Sequence, residues 1–339
     1  MGLYDEALVG ACSWAPPPTV PADRSAVPGT PSSPPSVTPL QSQEEILADA
    51  AAQAELHGLH RMGVRPPLGQ YIRSTWERRH FVRSLATSKA YAENQNTYLG
   101  QFWALLNPAL NAAVYVIIFG FLLGARGNIQ NTIAFIVVGT FMWRFVSDSV
   151  TGGAKSVSSN MNLVRSLHFP RSVLPLSAVL SQLASLVPAL VVMVLFTMVS
   201  GFFPENTPVP ITWRWLLIIP ATLLLFVFNS GVAFMVARWN AIVPDLVNVL
   251  PFLLRLGMYA SGVIFPVTHF VKNAGPVLHA LLEYQPFAVM LNIARQALLD
   301  EATIPLDASI WIAAAVWAVS TFVAGFIIFW RAEARYGRE

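Results

Sequence analysis

The amino-acid sequence predicts an all-α integral membrane protein with six transmembrane helices and with both termini in the cytoplasm. Of its 339 residues, 55% are hydrophobic and only 12% are charged, and that charged share is about half of what soluble globular domains carry. Several apolar runs of about 20 residues follow residue 100, which is the length that an α-helix needs to cross a hydrocarbon core. Basic residues are concentrated in alternate loops between these runs. A soluble enzyme is therefore excluded.

Two segments without membrane character open the chain. Residues 1–41 are rich in Pro, Ser and Thr, and such a composition cannot bury enough apolar surface to offset the entropy of ordering. We expect a disordered cytoplasmic tail there. In residues 42–67 the run EEILADAAAQAEL places acidic residues in the first turn of a potential helix, where the helix dipole favours them. Pro66 and Pro67 interrupt this pattern, so we expect a short cytoplasmic helix and a linker.

Residues 68–95 combine apolar side chains with an excess of positive charge, which predicts an amphipathic helix in the membrane interface. The apolar set comprises Tyr71, Ile72, Trp76, Phe81, Val82 and Leu85, and the basic set comprises Arg73, Arg78, Arg79, Arg83 and Lys89. The basic side chains can pair with phosphate groups at the inner membrane surface. A solvated linker helix is the alternative, because the helical periodicity of this segment is imperfect.

Residues 96–339 form the predicted transmembrane domain, and apolar runs within it indicate six spanning helices. The predicted spans are 102–123, 132–151, 173–199, 211–236, 247–265 and 310–330. Eight basic residues precede the first span, three lie between the second and third, one follows the fourth and three follow the sixth. The opposite face holds only Arg126, Arg214, Lys272 and Arg295. Because cytoplasmic loops carry the excess of Lys and Arg, both termini are expected inside.

The segment 274–299 is apolar, but we do not count it as a seventh span. Pro286 splits it, and an odd number of spans would move the basic C-terminal tail to the outside. We expect instead two short helices that meet near Tyr284-Gln285-Pro286. Without crossing, these helices would dip into the outer leaflet as a re-entrant hairpin before the last span.

The sequence carries no signature of catalysis or nucleotide binding. A phosphate-binding loop ends in Gly-Lys-Ser or Gly-Lys-Thr, but in the run GGAKS around Lys155 an alanine takes the glycine position. Asp300 and Glu301, with Asp307 nearby, form the only outward carboxylate cluster, and we expect a solvated loop there. A single cysteine and histidines without ligand spacing predict no metal site. We expect neither enzyme activity nor a bound cofactor in this chain.

Polar and aromatic residues recur every four positions along the first predicted span. They are Trp103, Asn107, Asn111 and Tyr115, and Arg255 and Tyr259 repeat the spacing in the fifth span. A polar stripe at membrane depth predicts either the lining of a wet channel or hydrogen bonds between helices, and both interpretations stay open. For Arg144 and Asp148, one turn apart in the second span, we favour a structural ion pair.

Two stretches carry a recognisable family pattern. The run TYLGQFW at residues 97–103 continues to Asn107-Pro108 in the first span. After the second span follow Asn160, the run NLVR at 162–165, Phe169-Pro170-Arg171 and Pro175. Both stretches resemble the ABC-2 type permeases, in particular the Wzm-like branch that exports lipid-linked polysaccharides. The resemblance covers residues 70–335, and it departs from the family at Gln285-Pro286, where many relatives have Asn-Pro.

The resemblance implies a homodimer of this chain in the inner membrane, docked on two copies of a separate cytoplasmic ATPase that binds ATP and Mg²⁺. Nothing in it indicates nucleic-acid binding. The inner loop between the second and third spans would be the coupling segment that receives the motion of the ATPase. Its implied contact residues are Asn160, Asn162, Leu163, Arg165, Phe169, Pro170 and Arg171.

The same resemblance implies a lipid-linked polysaccharide as cargo, and membrane lipids as further partners of the chain. Its diphosphate end would meet an entrance at the inner surface formed by Arg73, Arg78, Arg79 and Arg83. Its sugars would follow the polar stripe, because hydroxyl groups cannot cross hydrocarbon without polar partners. The exit would be closed by an outer gate formed by Tyr284, Gln285, Pro286 and Phe287.

The excess of Arg over Lys narrows the identity of the cargo further. Of the 21 basic residues only Lys89, Lys155 and Lys272 are lysines, as is typical of a GC-rich genome, and this favours an actinobacterial cell-wall galactan. One rival hypothesis is an ABC-2 permease for a small drug or lipid. Another is a membrane-bound transferase acting on polyprenyl phosphates, which would need an embedded carboxylate cluster that the sequence lacks.

Overall fold

The computed structural model describes residues 66–92, 98–100, 102–118, 129–167, 169–203, 206–266, 276–301 and 304–333, together with 45, 48–50, 52 and 53. Within these ranges all regular secondary structure is helical. The chain divides into two compact units, Met1–His60 and Arg61–Glu339. The described residues of the first unit are helical, and the tail expected over residues 1–41 lies outside the described residues.

The second unit contains two polar helices followed by a series of mostly apolar ones. The polar pair is α1 (Leu68–Glu77) and α2 (Arg79–Ala92). The others are α3 (Phe102–Tyr115), α4 (Thr132–Lys155), α5 (Met161–Ser166), α6 (Val173–Ser200), α7 (Ile218–Ile242), α8 (Leu246–Ala260), α9 (Pro276–Glu283), α10 (Pro286–Leu298) and α11 (Ala308–Arg331). Short 3₁₀ turns over Ser158–Asn160 and Trp213–Leu217 lead into α5 and α7.

Four helices are long and apolar enough to cross a membrane, namely α4, α6, α7 with its 3₁₀ start, and α11. They correspond to the second, third, fourth and sixth predicted spans. The helices at the first and fifth predicted spans are shorter, with apolar segments Leu105–Ile118 and Leu246–Ala260. The chain is thus a multi-pass membrane protein, and the crossings by α3 and α8 stay predictions.

The fifth predicted span was too long, because α8 ends at Ala260 and not at Phe265. The chain turns directly afterwards at Gly262, whose φ of 73° lies in the left-handed region that glycine tolerates. With 15 residues and a rise of about 1.5 Å per residue, α8 extends roughly 22 Å, less than a hydrocarbon core of about 30 Å. The first predicted span was assigned to residue 123, and its last residues lie outside the described ranges.

Helix α4 occupies the centre of the second unit. It is buried over most of its length, and it packs against α3, α6, α7, α8 and α10. The first half of α4 is apolar on all sides and has no face that favours water, so its burial on every side matches its sequence. Near the C-terminus of α4, Gly153 lies so close to Ala233 of α7 that an added Cβ would overlap it. Small residues of this kind allow helices in lipid to approach closely.

The N-terminus of α4 is held by a buried carboxylate. Glu301 is 5% exposed, and its two oxygens accept the backbone N–H groups of Gln130 and Asn131 at 2.9 and 2.7 Å. The side chain of Asn131 in turn accepts the N–H of Ala134. Placing Glu301 in a solvated loop was therefore wrong. Its neighbour Asp300 is exposed as expected and pairs with Arg214.

The expected amphipathic helix consists of two helices that meet at Arg78, where the backbone leaves helical geometry with ψ near 17°. Tyr71, Val82 and Ala86 are buried against the helix bundle, and α2 packs on α6. Trp76 is 70% exposed, as an interfacial aromatic side chain would be. We keep the name interface helices for α1 and α2.

The two helices expected before the last span are present as α9 and α10, joined at Tyr284 and Gln285. Pro286 stands in the first turn of α10, where its fixed φ suits a helix start and its missing N–H costs nothing. Helix α10 is buried over most of its length and packs against α4, α7 and α11. That this hairpin dips into the outer leaflet stays a prediction.

Cysteine labelling tests whether the two shorter helices cross the membrane. In a background lacking Cys12, we expect Thr87→Cys and Asp245→Cys to react with an impermeant thiol reagent only from the inside. Gln130→Cys and Leu306→Cys should react only from the outside, because basic residues mark the cytoplasmic face. All four side chains are exposed. Labelling of both members of the Thr87 and Gln130 pair, or of the Asp245 and Leu306 pair, from one side would contradict six crossings.

Candidate functional site

The polar stripe of α3 does not stay on one face in the structure. Residues four positions apart drift by about 40° on a helix with 3.6 residues per turn. Asn107 therefore faces a pocket inside the protein, whereas Asn111 is exposed, and the amide of Asn111 donates to the Asn107 carbonyl oxygen. Trp103 is half-buried near the N-terminus of the helix. Of the stripe, only Asn111 presents its side chain fully to the surroundings.

At its other end the stripe meets α8. The Tyr115 hydroxyl lies 3.7 Å from the Sδ of Met258, and Tyr115 is within electrostatic range of Arg255 and Tyr259. Arg255 and Tyr259 are themselves exposed. The structure thus brings the polar residues of the first and fifth predicted spans to neighbouring surfaces of α3 and α8.

A polar pocket of about 180 Å³ lies between α3, α4 and α6. Its polar lining comprises Asn107, Arg144, Asp148, Gln182 and Ser185. The Arg144 guanidinium is 3.2 Å from the Asp148 carboxylate, so the ion pair favoured from the sequence is present. The participation of Asn107 in this pocket was missed, because spacing along one helix does not reveal which neighbouring helix a face meets.

Two side chains of the hairpin formed by α9 and α10 bind carbonyl groups at the C-terminus of α8 and in the turn that follows it. The last carbonyl groups of a helix have no partner within the helix. Gln285 donates from its amide to the Ala260 carbonyl at 2.7 Å. Arg295 donates from Nη2 to the carbonyls of Gly262 and Val263 at 2.9 and 2.8 Å. The expected gate residue Gln285 is therefore a fixed contact between the hairpin and α8.

Arg295 is buried, although it was counted among the solvated basic residues of the outer face. It is 1% exposed, and its guanidinium carbon lies 3.5 Å from the centre of the Phe135 ring. Gly139 leaves the necessary room, since a Cβ there would come within 2.5 Å of Nη2. Carbonyl dipoles and an aromatic face stabilise a buried cation. Basic-residue counting cannot detect this, because it treats every Arg as solvated.

The other expected gate residues tie the hairpin to the helix bundle. The Phe287 ring packs edge-on against Trp143 of α4 and Phe228 of α7, each at 5.5 Å between ring centres. The carbonyl of Tyr284 accepts the indole N–H of Trp317 in α11 at 3.0 Å. Of the four expected gate residues, only Tyr284 is exposed, at 41%. In this arrangement the hairpin is closed onto α4, α7, α8 and α11.

The expected coupling segment has an exposed half and a packed half. Asn162 and Arg165 on α5 are exposed, and Asn160 and Leu163 are half-buried. In the second half the ring of Phe169 packs edge-on against Phe81 of α2 at 5.5 Å. Pro170 is buried, and Arg171 is half-buried. Helix α5 of this segment is therefore accessible, and Phe169 packs the segment against the interface helices.

A buried cluster that was not found from the sequence joins this segment to the last helix. The Glu333 carboxylate accepts the Tyr71 hydroxyl at 2.8 Å and the Arg171 backbone N–H at 2.9 Å. Arg171 also donates from Nη1 to the Glu333 carbonyl at 2.5 Å. The Tyr71 oxygen accepts the backbone N–H of Ser172 at 3.1 Å. Three separate parts of the chain, α1, the coupling segment and the end of α11, meet at this anchor cluster.

Burial shapes the ionisation of the anchor cluster. Loss of solvation raises the pKa of the Glu333 carboxyl, and the N–H of Arg171 and the Tyr71 hydroxyl offset part of that rise. Burial, followed by the charge of Glu333, raises the pKa of the Tyr71 phenol well above its usual value. The phenol therefore stays protonated at neutral pH and acts as the donor to Glu333.

The four expected entrance arginines are all exposed on the interface helices. Arg73 is paired with Glu77 at 3.0 Å, so part of its charge is already compensated. Arg79 lies over the Trp76 ring at 5.9 Å.

No group of three or more His, Cys, Asp or Glu residues able to hold a metal ion occurs in the described ranges.

Residues 90–299 match the family described as ABC-2 type transporter. The chain is similar to an O-antigen export system permease protein RfbA from Myxococcus xanthus, with 30% identity over 77% of this chain and 96% of that protein. Two Klebsiella pneumoniae proteins of the same name are 28% and 25% identical. These similarities cover 58% and 61% of this chain and 71% and 75% of those proteins.

Removing the carboxylate of the anchor cluster tests its importance for stability. Glu333→Ala leaves the Tyr71 hydroxyl and the Arg171 N–H buried without their acceptor, so we expect a loss of about 1 to 3 kcal/mol. Thermal unfolding of the purified protein measures it. As a control, Glu77→Ala breaks an exposed ion pair and should cost under about 1 kcal/mol. Equal effects of the two substitutions would contradict the assignment.

Proposed function

Because this chain belongs to the ABC-2 type transporter family, we propose that it is the membrane-spanning subunit of an exporter whose cargo is a lipid-linked polysaccharide. The observation that carries this proposal is the similarity, over nearly the whole length of the Myxococcus xanthus protein, to an O-antigen export permease. A polymer of sugars needs polar partners along its path, since unsatisfied hydroxyl groups are costly in hydrocarbon. The exposed polar side chains of α3 and α8 support the same cargo class.

In this proposal two copies of the chain share one path. The exposed surfaces of α3 and α8 combine polar residues with large apolar ones, among them Leu110, Val114 and Phe252. A second copy placed against these surfaces would cover the apolar residues and leave Asn111 and Tyr259 facing a common space. The amide of Asn111 and the ring of Tyr259 offer hydrogen bonds and a flat surface, both of which suit sugar rings.

We place the cytoplasmic end of the path at the interface helices. Arg78 and Arg83 are exposed there, and each basic side chain near the surface attracts an anionic lipid head by about 1 kcal/mol. A polyprenyl diphosphate has such a head. The predominance of Arg over Lys in the sequence favours an actinobacterial galactan as the specific polymer, and the inner membrane as its location.

A separate ATPase would supply the energy and bind ATP and Mg²⁺. The exposed half of the coupling segment is the surface proposed for it, because helix α5 lies on the same loop as the packed residue Phe169. Movement of α5 would then act on the interface helices through Phe169 and Phe81. It would also reach the end of α11 through Arg171 and Glu333.

The path is tested by making its exposed polar side chains apolar. In cells that depend on the gene, Asn111→Leu combined with Tyr259→Leu should make lipid-linked polymer accumulate on the inner side, by about tenfold if each lost contact costs about 0.7 kcal/mol. Chromatography of extracted lipid-linked polymer measures the accumulation. The matched control, Val191→Ala with Val316→Ala, removes exposed apolar side chains from α6 and α11, outside the proposed path, and should export normally.

The alternative cargo is a small drug or a simple lipid. Depletion of the protein would then leave lipid-linked polymer export untouched and change only drug resistance or lipid distribution. That outcome of depletion would contradict the polysaccharide proposal. Normal export by the double variant, when it is present in the membrane at the normal level, would contradict the proposed path.

The coupling surface is tested by a charge on its exposed apolar side chain. Leu167 directly follows α5 and is half exposed, so Leu167→Asp should place an unpaired charge in a packed contact with the ATPase. We expect co-purification of the ATPase to fall by at least tenfold. Val243→Asp places the same charge on the other inner loop and should leave binding unchanged. Equal binding by both variants would remove the assignment.

A further inference from the structure

An apolar groove of about 500 Å³ runs between the interface helices and three long helices. Ile72 and Trp76 of α1 line one side, and the opposite wall is formed by Leu180 of α6, Phe226 of α7 and Val323 of α11. A volume of this size lies in the range of about 300 to 1,000 Å³ that small-molecule sites occupy. The groove is therefore large enough to hold a ligand and almost free of polar lining.

The groove has a positive mouth. Arg79 is the single charged residue of its lining, and its guanidinium lies over the ring of Trp76 at 5.9 Å. Arg78 and Arg83 are exposed on the same pair of helices. The only acidic residue of α1 and α2 is Glu77, which is already paired with Arg73. An occupant must therefore combine an apolar body with an anionic end.

We propose that this groove binds an anionic phospholipid of the cytoplasmic leaflet, with an acyl chain between α1 and the long helices and the phosphate on Arg79. An acyl chain suits the almost wholly apolar lining of the groove, and a phosphate suits its single arginine. The inference goes beyond the proposed function, because it assigns Arg79 to a resident lipid and leaves Arg78 and Arg83 for the cargo.

A lipid in this position would stabilise the cytoplasmic anchor. The groove is bordered by Thr75, whose hydroxyl lies 3.0 Å from that of Ser172. Ser172 in turn donates its backbone N–H to Tyr71 of the anchor cluster. A filled groove would hold α1 against α11, which the anchor cluster also joins to α1, and against α6, which begins directly after Ser172. We therefore expect the bound lipid to raise the melting temperature.

Native mass spectrometry of the delipidated full-length protein, titrated with phosphatidylglycerol or phosphatidylcholine, tests the site. We expect one phosphatidylglycerol to bind preferentially. Arg79→Gln should weaken that binding about fivefold, and Arg83→Gln should not change it. Leu180→Trp fills the groove and should remove the bound lipid, whereas Leu195→Trp, at an exposed position further along α6, should not. Val323→Phe fills the groove from α11 and replaces Leu180→Trp if that variant does not fold.

Three results would overturn the proposal. Equal binding of both phospholipids would mean that the surface holds only non-specific lipid. Equal losses in Arg79→Gln and Arg83→Gln would place the head group elsewhere. A polyprenyl diphosphate that co-purifies and is displaced by Leu180→Trp would make the groove part of the cargo path. The first two results do not depend on whether the proposed cargo is correct, because their probes are phospholipids.

Discussion

Hydrocarbon offers no hydrogen-bond partner to a peptide group, and at three helix ends of this protein the partner is a side chain from a distant part of the chain. Glu301 binds the N–H groups that precede α4. Gln285 binds the Ala260 carbonyl that ends α8, and Arg295 binds the Gly262 carbonyl in the turn that follows. Asn240 of α7 donates to the carbonyl of Ala154 near the end of α4. Each contact closes one helix end and fixes the position of a second helix, so the same requirement that permits the helices in lipid also sets their arrangement.

Two sets of contacts hold the helix bundle together at different places. The hairpin of α9 and α10 is held on the turn after α8 by Arg295 and on α11 by Trp317. Glu333 joins the interface helices, the coupling segment and the end of α11. In the proposed mechanism, a path along α3 and α8 would open when the hairpin contacts loosen, and a motion of the coupling segment would reach the last helix through the anchor cluster.

The helices formed by long apolar runs could be predicted from the sequence, but the contacts between these helices could not. Helix α4 begins at Thr132 and α6 begins at Val173 as expected, because hydropathy decides both. The ion pair of Arg144 and Asp148 also followed from spacing along one helix. Arg295 and Glu301 were misplaced because a charged residue near a loop looks solvated until its distant partners are known. The anchor cluster of Tyr71 and Glu333 joins residues 262 positions apart, and no local pattern reveals it.

If this chain itself forms the path for a lipid-linked polysaccharide, as we propose, proteoliposomes should show it most directly. They would contain the chain, its ATPase and a polyprenyl-diphosphate-linked polymer loaded in the leaflet facing ATP. Cleavage of the polymer by an impermeant glycosidase on the opposite side reports its arrival there. We expect cleavage that requires ATP and that stops when the proposed path residues Asn111 and Tyr259 are made apolar. Polymer that stays protected in the presence of ATP, while a small lipid crosses in the same vesicles, would contradict the proposal.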